Sequence, residues 1–169
     1  MEKETDKKTE FKDRFVFFIK ENKMKILLIF TIFLVSVFSI IALNIHKEKK
    51  NNLISEKYIQ AGLYLANGKK IESKNLYKEI VLSKNNFYSI LALNTIIEKN
   101  LENDEGKVIE YFEILENLKL SKSQKDLIEF KKALFLIEGI NFEEGKKLIE
   151  KIVESDSSFK DLAKEILPK

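Results

Sequence analysis

The chain has 169 residues, enough for one ordinary domain with an appended segment. It contains no Cys, which excludes disulfides, thiolate metal sites and lipidated cysteines. Residues 47–169 hold 22 Lys against 21 Asp and Glu, so this part has no basic field that could hold a nucleic-acid backbone. The composition therefore predicts no nucleic-acid partner.

Residues 1–25 form a charged amino-terminal tail. Phe11, Phe15 and Phe18 recur at spacings of four and three, which places them on one face of a helix. Such a face is typical of a helix that lies in a membrane interface or binds a partner segment. It also fits a membrane helix that starts early and rests among the lipid headgroups. Both interpretations stay open, the second being the simpler.

Residues 26–45 form an uncharged apolar segment, from Ile26 to Ile45. As a helix with a rise of 1.5 Å per residue it covers roughly 30 Å, the thickness of the hydrocarbon core of a bilayer. We therefore predict a transmembrane helix in contact with the lipid bilayer. The residues predicted to anchor this helix are Ile26, Ile29, Phe33, Val37, Ile41 and Ile45.

A cleaved signal peptide is the alternative interpretation of this segment. Signal peptides carry a shorter apolar region, of about 7 to 15 residues, followed by small residues at the cleavage site. The sequence "ALNIHK" at the end of the segment offers no such site, which favours an uncleaved anchor. No ionisable residue lies at mid-depth, which argues against a pore or an ion relay.

The charges that flank the segment barely select an orientation. Five basic residues precede it within about fifteen positions, and four follow it: Lys12, Arg14, Lys20, Lys23 and Lys25 against Lys47, Lys49, Lys50 and Lys57. A short tail is easily left in the cytoplasm. We therefore predict a cytoplasmic amino terminus and a carboxy-terminal domain on the opposite side of the membrane.

From residue 52 onward, apolar residues recur at spacings of three and four, which predicts seven successive helices and an all-α fold. Gly68 is expected to end the first of them. Ser123, Asn141 and Ser158 each precede an acidic residue by three positions, which predicts helix starts. Links of a few residues predict that successive helices pack antiparallel.

The helical region repeats itself when the chain is shifted by 72 residues. Ala61 then overlays Ala133, and Ser73 overlays Gly145, so each pair of small residues is twelve apart. Two antiparallel helices approach closely only where both carry small side chains, so these four are the predicted packing positions. A looser pair, with Gly106, lies between them. Residues 47–169 are therefore predicted to form a tetratricopeptide-like α-solenoid of about three helical hairpins; an unrelated helical bundle is the alternative.

Few sequence patterns indicate a catalytic, metal-binding or cofactor-binding site. The only His is His46, beside the membrane segment, and a single His cannot build a His-based metal site or a catalytic triad. The five glycines form no phosphate-binding or dinucleotide-binding pattern. Acidic clusters sit at predicted helix starts, where they complement the helix dipole. We therefore predict no enzymatic activity, no cofactor, no metal and no small-molecule substrate.

The order of these parts resembles the YfgM-like family, the ancillary subunits of the SecYEG translocon. The resemblance is carried by Phe15, Phe18 and the Glu21–Lys23 stretch, and by the segments Asn85–Leu115 and Ser157–Lys169. It implies a bacterial inner-membrane protein with a cytoplasmic tail and a periplasmic domain. It further implies that the protein assists export and folding at the translocon, beside a periplasmic chaperone.

A second hypothesis assigns the domain to a different class of partner. A solenoid exposes a surface, here lined by the first helix of each hairpin (near 54–66, 87–99 and 124–138), that receives a peptide or a helix. Such a surface would equally serve a membrane-anchored scaffold for envelope or cell-division machinery. The partners of the two hypotheses differ, and so do their expected positions in the cell.

Overall fold

The computed structural model describes Arg14, Phe17, Phe18, residues 20–139 and residues 141–167, with the backbone alone at Ile26. The described residues form seven α-helices and no strand, as the all-α prediction requires. The helices are α1 (Lys23–Ala66), α2 (Lys70–Leu82), α3 (Tyr88–Glu98), α4 (Glu105–Glu116), α5 (Lys122–Glu138), α6 (Phe142–Glu154) and α7 (Lys160–Ile166). The chain divides into two compact units, residues 1–49 and residues 50–169. We call the second unit the helical domain.

The first unit contains the apolar part of α1. α1 has 44 residues, and its most apolar window of 18 residues has a mean hydropathy of 3.0. None of the residues in this window is buried. α1 is therefore long and apolar enough to span a membrane. Five of the predicted anchor residues are exposed: Ile29, Phe33, Val37, Ile41 and Ile45. The sixth, Ile26, lies within α1, and its side chain is outside the described part.

The polar side chains of the apolar segment are satisfied within the helix itself. The hydroxyls of Thr31, Ser36 and Ser39 each donate to the carbonyl oxygen four residues earlier, at 2.9, 2.9 and 2.8 Å. A hydroxyl bonded in this way needs no water, so these residues are compatible with a hydrocarbon environment. Of the phenylalanine face predicted in the tail, Phe18 is exposed, whereas Phe11 and Phe15 lie outside the described residues.

The ends of the helices follow capping chemistry. Gly68 adopts a positive φ of 74°, and the backbone N–H groups of Gly68 and Lys69 donate to Leu65 and Tyr64, which confirms the predicted helix end. The Asn141 side chain accepts from the N–H of Glu144 at the start of α6, also as predicted.

Two predicted helix starts are wrong. α5 begins at Lys122, and its N-cap is Ser121 rather than Ser123, because Ser121 and Gln124 form a reciprocal capping box. Ser158 does not cap α7: its N–H donates to Asp126 of α5 instead, at 2.9 Å. This contact links the start of α7 to α5. Ser158 therefore makes a tertiary hydrogen bond in place of the helix cap that its sequence spacing predicts.

In the helical domain, helices that follow one another pack together from α2 to α7, and α2 also contacts α4. The first helix of the domain is the part of α1 after Lys50. Its contacts with α2 and α3 include an ion pair between Lys57 and Glu79 at 2.8 Å and a hydrogen bond from the Tyr88 hydroxyl to Ser55 at 2.8 Å. The helices of the three predicted hairpins are therefore α1 and α2, α3 and α4, and α5 and α6, while α7 packs against α6.

The apolar side chains form two buried clusters. The larger one runs from α1 to α5, with Phe112, Ile80, Leu93, Ile96 and Leu115 among its most deeply buried side chains. The smaller one joins α5, α6 and α7 through Phe130, Ala133, Ile149, Ile152 and Ala163. α3 carries residues of the larger cluster on most of its circumference, which explains why its sequence is apolar nearly all round.

The four predicted packing positions are all buried. Ala61, Ser73 and Ala133 have no exposed surface, and the Ser73 hydroxyl donates to the Ala61 carbonyl oxygen at 2.9 Å. A Cβ added at Gly145 would lie 2.8 Å from the Ala133 carbonyl oxygen. In both hairpins, therefore, the second small residue faces the carbonyl oxygen of the first.

Other contacts recur at or near the same shift of 72 residues. The pair Lys57–Glu79 at 2.8 Å corresponds to Glu129–Lys151 at 2.6 Å, with the charges exchanged. The aromatic pair Tyr58–Tyr88 resembles the pair Phe130–Phe159, with ring centroids 5.8 and 5.0 Å apart, but Phe159 follows Tyr88 by 71 residues and not by 72. The ion pair is therefore the contact that recurs as a repeat of α1–α2 in α5–α6 predicts.

The middle hairpin, α3–α4, departs from this repeat. Gly106, which the sequence suggested as its small residue, is exposed in the first turn of α4. The buried residues at the spacing of twelve are Ile96 and Val108. Branched side chains at both positions explain why the repeat was faint in this part of the sequence.

Candidate functional site

A groove of about 150 Å³ lies between α3 and α5, the first helices of the second and third hairpins. Its residues come from the last two turns of each helix: Asn94, Ile97 and Glu98 from α3, and Lys131, Leu134, Phe135 and Glu138 from α5. These are two of the three helices that the sequence predicted to line a binding surface.

The floor of the groove is apolar. Ile97, Leu134 and Phe135 are each half-buried, because one side of each packs on a core cluster while the other faces the groove. The Phe135 ring is positioned by Phe112 of α4, whose ring centroid lies 6.0 Å away. Since Phe112 is fully buried, the floor rests on a rigid part of the domain.

The rim of the groove is polar and carries both signs of charge. Lys131 Nζ lies 3.9 Å from the Glu98 carboxylate across the groove, a loose ion pair at an exposed site. The Asn94 carboxamide supplies both a donor and an acceptor. Glu138 adds a second carboxylate at the end of α5.

An apolar floor with a polar rim suits an apolar side chain whose own main chain needs hydrogen-bond partners. That is the chemistry of a peptide segment or of one face of a helix. Among the described residues, no buried side-chain nitrogen or oxygen lacks a partner, and no three His, Asp or Glu side chains come together as a metal site. His46 is exposed on α1.

A larger cavity, of about 390 Å³, lies between α4, α5 and α6 and is a weaker candidate. Four of its five charged lining residues neutralise one another: Lys132 contacts both carboxylate oxygens of Glu116 at 3.0 Å, and Lys151 contacts Glu129 at 2.6 Å. The hydrogen bond to Glu129 raises the pKa of Lys151, so this ammonium stays charged and paired. Groups that already satisfy one another offer little to a ligand.

Sequence reasoning found the helices that line the α3–α5 groove but not its residues. Leu134 belongs to the apolar spacing that predicts α5 itself, and no sequence pattern distinguishes Phe135, Lys131 or Glu98. The spacing of Leu134 and Phe135, which places two large apolar residues side by side on α5, was the available signal. Only the position of α3 shows that both are left partly uncovered.

Comparison with known proteins adds no relative: no family, no curated protein and no solved structure matches the chain.

Proposed function

We propose that this protein is a single-pass, non-enzymatic protein of a bacterial inner membrane that presents a tetratricopeptide-like α-solenoid to the periplasm. In this proposal the domain binds protein segments as an accessory of the Sec translocon during export and folding. The tail before α1 lies in the cytoplasm. A translocon subunit and a periplasmic chaperone are the proposed partners.

The observation that carries the proposal is the α3–α5 groove between two hairpins of a repeated plan. The repeated contacts, Ser73 to Ala61 and the Gly145 approach to Ala133, support stacking of hairpins rather than an unrelated bundle. Stacked hairpins bring their first helices side by side, which creates grooves of this kind. An apolar floor with polar edges supports protein binding over small-molecule chemistry.

The membrane assignment is supported by α1, and the translocon assignment by the resemblance of the sequence to the YfgM-like family. The apolar segment has the length of one span and carries no charge between Ile26 and Ile45. A single span without ionisable groups supports anchoring rather than transport.

Co-purification of the full chain in mild detergent tests the proposal. We expect the translocon subunits to be recovered with the wild-type protein from membranes of its native host. We expect Leu134→Ala, which removes part of the groove floor, to reduce their recovery about tenfold, since losing one central apolar contact costs about 1.4 kcal/mol.

Leu162→Ala is the matched control, because Leu162 is exposed on α7 outside the groove. It is expected to leave recovery unchanged, and far-UV circular dichroism verifies that both variants are folded. Absence of translocon subunits with the anchor intact would count against the assignment. Recovery of division or envelope-assembly proteins in their place, with the protein gathered at midcell, would favour the scaffold alternative.

A further inference from the structure

One edge of the helical domain contains a hydrogen bond between an asparagine of α1 and an asparagine of the α2–α3 loop. Asn85 Nδ2 donates to Asn51 Oδ1 at 2.7 Å, which ties the α2–α3 loop to α1. The Asn85 carboxamide oxygen accepts from the N–H groups of Phe87 and Tyr88 at 3.0 and 2.9 Å, which fixes the loop itself. The neighbouring Asn86 donates to the Lys119 carbonyl oxygen at 2.8 Å. We call this the Asn51–Asn85 edge.

The residues beside this bond are apolar or positively charged. Leu53, Leu82 and Phe87 lie within three positions of Asn51 or Asn85 and are 56%, 47% and 59% exposed. Lys50, Lys84 and Lys119 are exposed at the same edge. Among the described residues, none of these three lysines forms an ion pair.

The repeat shows that the positive charge is a departure from the plan of the domain. A shift of 72 residues carries Lys50 and Lys84 onto Lys122 and Asp156, which form an ion pair at 3.1 Å. The first hairpin thus has two lysines where the third has a lysine and an aspartate. Each lysine adjoins one partner of the Asn51–Asn85 bond, so two like charges lie on neighbouring segments. Like charges so placed repel each other unless an anion lies between them.

The covalent chain keeps this edge close to the bilayer. Asn51 follows Ile45, the end of the apolar segment, by six positions. Even a fully extended chain covers at most about 22 Å over six residues. The headgroup layer reaches about 5–7 Å beyond the hydrocarbon core, so lipid phosphates lie within the range of this edge.

We propose that the Asn51–Asn85 edge docks on the anionic headgroups of the bilayer in which α1 is anchored. Lys50 and Lys84 bind lipid phosphates, while Phe87, Leu53 and Leu82 enter the interface, where exposed aromatic and aliphatic side chains are stabilised. Docking sets which surface of the domain remains available to a partner. The proposal rests on membrane insertion of α1 and not on the translocon assignment.

Site-specific fluorescence on the full chain in lipid nanodiscs tests the proposal. The chain contains no Cys, so Phe87→Cys offers a single labelling site. With phosphatidylglycerol in the disc, we expect a label at position 87 to be quenched by spin-labelled lipid and shielded from iodide. A disc of phosphatidylcholine alone should abolish most of this shielding. Lys84→Gln in the same background should lower the ratio of docked to free domain about fivefold.

Ile71→Cys is the control, because Ile71 is also an exposed apolar residue, 73% exposed, but lies at the opposite end of α2. Its label should stay open to iodide in both discs. Hydrogen exchange of unlabelled protein should independently slow at residues 83–87 when phosphatidylglycerol is present.

Equal quenching at positions 71 and 87, or no effect of Lys84→Gln, would overturn the proposal. A label at 87 that is open in the disc but shielded in native membranes would assign the edge to a protein instead. Incorporation of the chain into discs is scored first, so failure of α1 to insert is distinguished from failure of the edge to dock.

Discussion

Gly145→Ala is expected to lower the free energy of unfolding by about 2 kcal/mol, within the range found for overpacked interiors. A Cβ at position 145 would lie 2.7 Å from Ile137 Cγ1 and 2.8 Å from both the Ala133 carbonyl oxygen and the Ile137 backbone nitrogen. Two of these three atoms belong to the α5 backbone, so α5 and α6 must move apart. Urea unfolding of the full chain in nanodiscs, followed by far-UV circular dichroism, measures the effect.

Gly62→Ala is the matched control for this substitution. Gly62 also lies inside a helix of a hairpin, but a Cβ there would meet the Tyr77 hydroxyl at 3.7 Å, an ordinary contact. The variant should be stabilised by roughly 0.5–1 kcal/mol, because alanine loses less backbone entropy than glycine on helix formation. Equal effects of the two substitutions would contradict the close approach of α5 and α6.

Lys74→Met is expected to lower the free energy of unfolding by about 3 kcal/mol, the lower end of the cost of breaking a buried ion pair. Lys74 Nζ donates to the Glu102 carboxylate at 2.8 Å, and the Glu102 side chain is only 5% exposed. The substitution leaves a buried carboxylate without its cation. Tyrosine fluorescence reports the unfolding of the helical domain, because all five Tyr lie in this domain. The chain has no Trp whose stronger emission would mask theirs.

The pair Lys57–Glu79 provides the control, because it has the same distance of 2.8 Å but side chains that are 38% and 55% exposed. Lys57→Met should cost less than about 1 kcal/mol, since water replaces the lost partner. A cost as large as that of Lys74→Met would show that burial of Glu102 is not the reason for the effect.

The cost of Lys74→Met should also depend on pH. The pKa of Glu102 is lowered overall. Burial acts to raise this pKa, but it is outweighed by hydrogen bonds from Lys74 and the Asp104 N–H, together with the nearby lysine charges. The folded-state pKa therefore lies below that of the unfolded chain, so the stabilisation is present at neutral pH and is lost as the pH falls through the folded-state value. Removing Lys74 removes two of the contributions that lower this pKa, so the variant has less stability to lose in acid, and the difference between variant and wild type should shrink there.

The helices and the repeated contacts could be predicted because they depend on local patterns. Spacings of three and four residues located the helices, and a positive-φ glycine marked the end of α1 at Gly68. The spacing of twelve between small residues pointed to Ala61, Ser73, Ala133 and Gly145, which the structure places at the helix contacts. Each of these signals needs only a few residues near one another in the chain.

Features that depend on distant residues could not be predicted in this way. Ser158 binds Asp126 in another helix, so its local capping pattern was misleading. Phe142 and Leu162 continue the apolar spacing of α6 and α7, yet they are 47% and 50% exposed, which the spacing alone does not reveal. The groove residues likewise depend on which part of α5 is left uncovered by α3.

We propose that α1 anchors the helical domain on the non-cytoplasmic side of the membrane. Single-cysteine variants test it, because the natural chain has no Cys to interfere. In intact cells with a permeable outer membrane, a membrane-impermeant maleimide should label Ile71→Cys in the domain, whereas Thr5→Cys in the tail should react only after lysis. Labelling of Thr5→Cys before lysis, with Ile71→Cys protected, would contradict the account.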